Sequence, residues 1–269
     1  MTAVKLAVAS DLHLPVTPAD KLAGLARAVA ASAPDLVVLA GDLAESLADF
    51  SRVLAMFRKE AACPVAVLPG DVDFWARPPY DSRRLWTELL PEAAADGGCV
   101  WLEGRSLKVG PVAVAGSVGW YDYSAAALAG MVSDLEFAQQ KYLHNADALR
   151  IDWEYSDPEF AGRAGAGLVA ALDALEGDPA VEQVVVVTHF PILEGQLTRR
   201  PGAGFASAYA GNLTLGRKVA ARPKVRHVVS GHTRQPKHGE LIRDGMPPLS
   251  YHVLPGDYER PTWLGLTLG

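Results

Sequence analysis

The chain has 269 residues, 49% of them hydrophobic and 21% charged, with a formal net charge of −6. A core of that size serves one large domain, and no Pro/Gly/Ser-rich linker or charge run divides residues 1–269. The negative balance disfavours a protein built to coat nucleic acid or an anionic membrane, so a phosphate-bearing partner has to be attracted by metal rather than by overall charge.

The amino terminus enters a predicted strand without the basic segment and apolar core of a signal peptide. No apolar run approaches the roughly 20 residues of a membrane span, so the expectation is a cytoplasmic protein with no membrane partner. Strands are predicted at Val4 to Ala9, Leu36 to Ala40, Val65 to Leu68, Val184 to Val187 and Val225 to Val229, each apolar apart from Lys5, Arg226 and His227 rather than regularly alternating, as strands buried on both faces are. Helical periodicity fills Ala19 to Ala31, Leu47 to Glu60 and Ser82 to Ala94, giving the strand, loop, helix order of a mainly parallel α/β sheet. Three brief runs, Cys99 to Leu102, Ser106 to Val109 and Val112 to Ala115, begin a second sheet or a sheet edge. From Asp134 to about Glu176 the pattern is helical, with a helix start at Asp157-Pro158. Leu241-Ile242, Ser250 to Leu254 and Trp263 to Leu268 then read as strands returning to a sheet.

Polar stations follow these apolar runs: Asp11-Leu12-His13, Gly41-Asp42, Gly70-Asp71, His189 and Gly231-His232. In a parallel sheet the strand-to-helix loops open on one carboxyl edge, so stations far apart in sequence converge. Singly each has a plain explanation, with Asp11 capping the next helix or His13 bonding a backbone carbonyl. One bound metal cluster accounts for all of them together. Mixed nitrogen and oxygen donors suit manganese, iron or zinc better than calcium.

This order of motifs resembles the calcineurin-like metallophosphoesterase superfamily from about Val4 to Gly256, and the aromatic loop Gly119-Trp120-Tyr121-Asp122-Tyr123 is similar to that of a bacterial subgroup. The resemblance implies an α/β fold that is a four-layer α-β-β-α sandwich, two mixed sheets flanked by helices. It implies Asp11, His13 and Asp42 as ligands of a first divalent metal, and Asp42, Asp71, His189 and His232 as ligands of a second, with Asp42 bridging. It also implies hydrolysis of a phosphomonoester or phosphodiester, a small-molecule phosphate ester or a nucleotide, by metal-activated water.

Three positions depart from the family pattern. Asp71 and Val72 stand where the third motif has Asn and then His, and Arg234 stands where the last motif ends in a second His. Asp71 can ligate, but its charge blunts Lewis acidity. Val72 cannot donate a proton to a leaving alkoxide, which leaves Asp73 as the nearest candidate for a replacement acid. Arg234 cannot ligate, because guanidinium stays protonated and has no acceptor lone pair. It is expected among Asp11, Asp42 and a bound phosphate, standing in for part of the first metal's charge. The expectation is therefore one firmly bound metal, a possible second, and reduced or altered activity. The alternative is a catalytically weak or inactive relative that binds a phosphorylated ligand as a sensor or scaffold.

Other signals are set aside. The glycine motif Gly165 to Ala170 follows a polar helical stretch instead of a strand, which leaves a nucleotide-dependent oxidoreductase without support. Asn212-Leu213-Thr214 is an idle sequon, Cys63 and Cys99 read as small buried hydrophobes, and His144 and His227 as structural histidines. His238 and His252 follow the Gly231-His232 station and are left open between structural histidines and residues at its rim. Trp75, Trp120, Tyr121 and Tyr123 are read as packing or as a stacking surface for a base, and Arg199, Arg200 and Lys218 as phosphate contacts or solvated charge. Oligomeric state is left open.

Overall fold

The structure, a computed structural model, describes residues 3–126, 128, 130–198 and 204–269. Strands β1 (Val4–Ala9), β2 (Leu36–Ala40) and β3 (Val65–Leu68) alternate with helices α1 (Ala19–Ala31) and α2 (Leu47–Glu60), at the bounds the apolar runs predict. A short α3 (Ser82–Arg84), a π-helical turn (Leu85–Leu89) and α4 (Leu90–Asp96) lead to β4 (Val100–Trp101). The single helix expected over this stretch is interrupted, and Pro91 is the physical reason. Proline has no N–H and its ring clashes with the carbonyl four residues back, so the preceding turn widens until the Leu90 N–H bonds the Leu85 carbonyl.

The chain continues through β5 (Arg105–Val109), β6 (Val112–Ser117), α5 (Asp134–His144), α6 (Asp147–Arg150) and α7 (Asp157–Glu176). Two capping boxes, Ser133 with Glu136 and Ser156 with Glu159, start α5 and α7 separately and divide the helical region. Strand β7 (Gln183–Thr188), helix α8 (Leu213–Ala220) and strands β8 (Val225–Ser230), β9 (Lys237–Arg243), β10 (Met246–Val253) and β11 (Leu264–Leu268) complete it.

Two mixed sheets result, with strand orders β11-β1-β2-β3-β4 and β5-β6-β7-β8-β10-β9. In the first only β11 is antiparallel; in the second β6, β7, β8 and β10 are parallel between antiparallel edges β5 and β9. Alternate residues of each buried strand serve different cores. Val4, Leu6 and Val8 meet Val185, Val187 and Val229 between the sheets. Val37 and Leu39 pack outward on Leu22, Phe50 and Phe57 of α1 and α2, while Val184 and Val186 pack on Leu168, Leu172 and Leu215 of α7 and α8. Helices, sheet, sheet and helices are thus the four layers, with the carboxyl ends of β1, β2, β3, β7 and β8 on one edge. Among the described residues no helix is long and apolar enough to cross a membrane.

One buried acid should make the fold pH-sensitive. Glu103, after β4, accepts hydrogen bonds from the Val118 N–H and the Ser117 hydroxyl. Burial pushes its carboxyl from 4.5 up to about 8, the two hydrogen bonds opposing only part of the shift. A carboxyl raised in the folded state contributes stability that is full below its unfolded value and is lost as pH rises through about 8. The slope between is at most about 1.4 kcal/mol per pH unit. Glu103→Gln keeps an acceptor for Val118 and never ionises, so denaturant melts should show the variant gaining on the parent from pH 5 to 8.5. Parallel stability curves would count against the protonated state.

Candidate metal centre

Each station turns out of its strand at the common edge. Backbone pairing continues past the sheet: the Asp11 N–H donates to the Gly41 carbonyl at 3.0 Å, the His13 N–H to the Asp42 carbonyl at 2.9 Å, and the Gly231 N–H to the His189 carbonyl at 3.0 Å. The loops are therefore registered to one another before any side chain meets a ligand. Asp11, His13, Asp42 and His232 adopt left-handed backbone, with φ of 57°, 45°, 56° and 62°. This is uncommon for residues with a Cβ and is tolerated where a site fixes it.

Two donor clusters form, Asp11 with His13 and Asp42, and Asp71 with His189 and His232, each with its donor atoms within 4.8 Å of one another. Asp42 joins them. Its Oδ2 lies 3.4 Å from His13 Nε2 and its Oδ1 lies 3.4 Å from His189 Nε2, so one carboxylate faces both halves as a bridge would. Asp71 Oδ1 lies 3.1 Å from His189 Nε2 and 3.2 Å from His232 Nδ1. All six residues expected from the motifs converge.

Surrounding bonds aim these donors inward. The His189 Nδ1–H donates to the Ala40 carbonyl at 2.9 Å, which leaves the Nε2 lone pair for the centre. Asp11 Oδ2 accepts from the Ser10 hydroxyl and the His232 N–H, leaving Oδ1 free. Asp42 Oδ1 accepts from the Val72 N–H at 3.0 Å. At Gly70 a Cβ would lie 2.2 Å from Asp42 Oδ1, so the third motif needs glycine for this close approach. Asp11 Oδ1 and His13 Nε2 are buried without a hydrogen-bond partner, a costly condition that a bound cation removes. Burial alone would drive the imidazoles neutral, yet the Asp42 carboxylate and its neighbours raise His189 well above its usual value, and Asp11 and Asp42 raise His13. Carboxylates so placed around the two imidazoles favour positive charge there, as a divalent metal would supply.

Two expected residues sit in contacts that their motifs do not suggest. Asp73, expected as a replacement acid, is engaged by the backbone, although burial and the Asp42 carboxylate push its carboxyl up to about 7. Its Oδ1 accepts from the Leu43 and Ala44 N–H groups at 2.9 and 3.0 Å and its Oδ2 from the Gly70 N–H at 2.8 Å, so it positions the second and third motifs. Arg234 does not lie between Asp11 and Asp42. Its left-handed backbone, φ 53°, turns the exposed guanidinium out to the Tyr258 hydroxyl and over the Tyr258 ring at 5.0 Å. Among the described residues it forms no ion pair with either carboxylate.

Trp120, Tyr121 and Tyr123 are buried in one aromatic cluster, so packing accounts for them. Trp75 is half-buried, its indole N–H on Asp147 and its ring under Arg150. His238 and His252 face each other across β9 and β10, beside His227, and belong to neither donor cluster. Burial and His252 hold His227 down to about 4. His144 stacks on Phe205, Cys63 and Cys99 are free thiols, and Gly165 to Ala170 sits inside α7. Asn212 is buried, capping α8 and donating to the Trp120 carbonyl. Lys218 is exposed on α8, and Arg199 and Arg200 lie outside the described residues.

The sequence profile of the calcineurin-like phosphoesterases matches residues 4–236. The chain belongs to that family. No curated protein matches it. Among solved structures, the phosphopantetheinyl hydrolase of Mycobacterium tuberculosis is 20% identical, with TM-score 0.68 over 98% of this chain and 96% of its own. A dimetal phosphatase of Danio rerio is 14% identical, TM-score 0.59, with full coverage of both chains. The purple acid phosphatase of yellow lupin seeds, Lupinus luteus, is 10% identical, TM-score 0.56, over 99% of this chain and 46% of its own. At these identities the likeness shows the fold; the family rests on the profile match.

Residues beyond the motifs also shape this edge. Tyr258 sets its ring edge-on to His13 at 5.3 Å. A signal for it exists in the sequence, since Leu254-Pro255-Gly256-Asp257 repeats Leu68-Pro69-Gly70-Asp71 at another strand end. Asp147 accepts from the Trp75 indole and the Tyr121 hydroxyl, and no local pattern marks it.

Proposed function

We propose that this phosphoesterase hydrolyses a small-molecule phosphate ester or a nucleotide, using manganese, iron or zinc at the two joined clusters. The single carrying observation is Asp42, whose two oxygens face His13 and His189 from one carboxylate at 3.4 Å each. Bound divalent metal supplies Lewis acidity and a water nucleophile at neutral pH. Asp11 and His13 orient the first half, Asp71, His189 and His232 the second, and the Ala40 carbonyl fixes the His189 tautomer. Val72 contributes only its N–H, to Asp42, so the third motif carries no imidazole of its own to protonate a departing alkoxide. Leaving groups stable as anions are favoured, and turnover of alkyl esters is slow. That departure supports the second reading, a phosphate-ligand sensor with little turnover.

The test is p-nitrophenyl and bis-p-nitrophenyl phosphate hydrolysis by chelator-stripped protein before and after manganese return, with a phosphopantetheinyl ester added because of the structural relative. Metal-dependent turnover is expected; saturable phosphate binding with no turnover of any ester would favour the sensor. We also expect the half-sites to fill in order. Asp42, Asp71, His189 and His232 supply four ligands to the second, while the first has three beside the Arg234 cation, whose charge opposes protonation and metal alike at His13. Under limiting manganese, elemental analysis should find one metal per chain, kept in His13→Ala and lost in His189→Ala. Equal loss in both variants would sink this order.

A further inference from the structure

We propose that Arg234 and Tyr258 form a phosphoryl-binding clamp over the first half-site, the guanidinium and the phenol together donating to oxygens that the metal ligands do not reach. Three separate segments build it. Arg234 ends the Gly231-His232-Thr233-Arg234 turn, Tyr258 comes from the loop after β10, and His13 from the loop after β1. The Arg234 guanidinium bonds the Tyr258 hydroxyl and lies over its ring at 5.0 Å, while the same ring stands edge-on to His13 at 5.3 Å. The two donors therefore stand beside an imidazole whose Nε2 faces Asp42.

The loop is held for this purpose on both sides. Glu259, the next residue, is bonded by Lys21 of α1, and Asp257 Oδ1 accepts from the Glu259 and Arg260 N–H groups. At Gly256 a Cβ would lie 2.1 Å from Arg234 Cγ, so the glycine leaves the channel in which the arginine stem runs. Among the described residues the guanidinium makes one hydrogen bond, to Tyr258, and its remaining N–H groups are available to an anion. A planar, permanently charged fork suits phosphoryl oxygens, and the phenol adds a neutral donor. A metal ligand in the family's last motif is thus replaced by a substrate ligand, and Tyr258 completes it.

The clamp rests on the phosphoesterase reading for its ligand, but inorganic phosphate tests it separately. Calorimetric titration of phosphate into manganese-loaded parent, Arg234→Ala, Arg234→Lys and Tyr258→Phe is paired with metal analysis, melting temperature and p-nitrophenyl phosphate kinetics. Arg234→Ala should weaken phosphate binding about 10–100-fold and Tyr258→Phe about 3–10-fold, the ranges for losing a charged and a neutral donor. Arg234→Lys should fall between parent and alanine. KM should rise with the dissociation constant while kcat moves less. Variants with parental metal content and melting temperature that bind phosphate as tightly as the parent overturn the clamp and leave the phosphoesterase reading intact. A parent that binds phosphate through Arg234 and Tyr258 yet hydrolyses no ester supports the clamp and overturns that reading. A metal-loaded parent that binds no phosphate overturns the clamp as well.

Discussion

Asp42→Asn should empty one half of the centre and leave the other, cutting hydrolysis by about 10²–10³-fold or more, the lower range being that for removing one preorganised hydrogen-bond donor from an active site. The choice of half follows from the backbone. Asp42 Oδ1 accepts the Val72 N–H at 3.0 Å, and an asparagine there must keep its carbonyl oxygen on that donor. Its amide nitrogen then takes the place of Oδ2, 3.4 Å from His13 Nε2, where an N–H₂ group cannot ligate. The first half-site keeps only Asp11 and His13, whereas the second retains Asp71, His189, His232 and the amide oxygen. Metal analysis should therefore fall from two equivalents to one under saturating manganese, and Asp42→Ala should lose more by removing both oxygens. An Asp42→Asn protein with two metals and the parental rate would show that the carboxylate does not bridge.

The sequence made this centre readable because its donors follow strands of unusual simplicity. Apart from the exposed Lys5, Val4 to Ala9, Leu36 to Ala40 and Val65 to Leu68 are buried on both faces, so their apolar runs end where the sheet ends. The next polar residue is then a loop residue on the carboxyl edge. The same logic fails where context decides. Pro91 acts on the turn before it and breaks a helix whose periodicity is intact. Asp73 has the composition of an acid, yet its role is set by three backbone N–H groups from two loops. Arg234 is expected among Asp11 and Asp42 and instead bonds Tyr258, since neither its left-handed backbone nor the Gly256 channel follows from its neighbours in the chain. Tyr258 lies 245 positions from His13 in a turn that carries no metal ligand, and only the repeated Leu-Pro-Gly-Asp hints at it.

Val72→His should restore proton donation to the leaving group, and the gain should depend on which ester is offered. Val72 is buried at the start of the 3-10 turn Val72–Phe74, directly after the ligand Asp71, and its N–H holds Asp42. The substitution leaves that N–H in place and exchanges an inert side chain for one that titrates near neutrality. General acid catalysis is worth about 10²–10⁴-fold where the leaving group is an alkoxide, and little where it departs as a stabilised phenolate. Rates for p-nitrophenyl phosphate should therefore barely change while those for alkyl esters rise, flattening the dependence of log kcat on leaving-group basicity at equal metal content. An unchanged dependence would mean that the parent already has a donor. Asp73 is a poor candidate for that donor, since both of its oxygens are engaged by Leu43, Ala44 and Gly70. The clamp residue Tyr258, whose ring stands edge-on to His13 and whose hydroxyl is bonded by Arg234, would then be the next to replace.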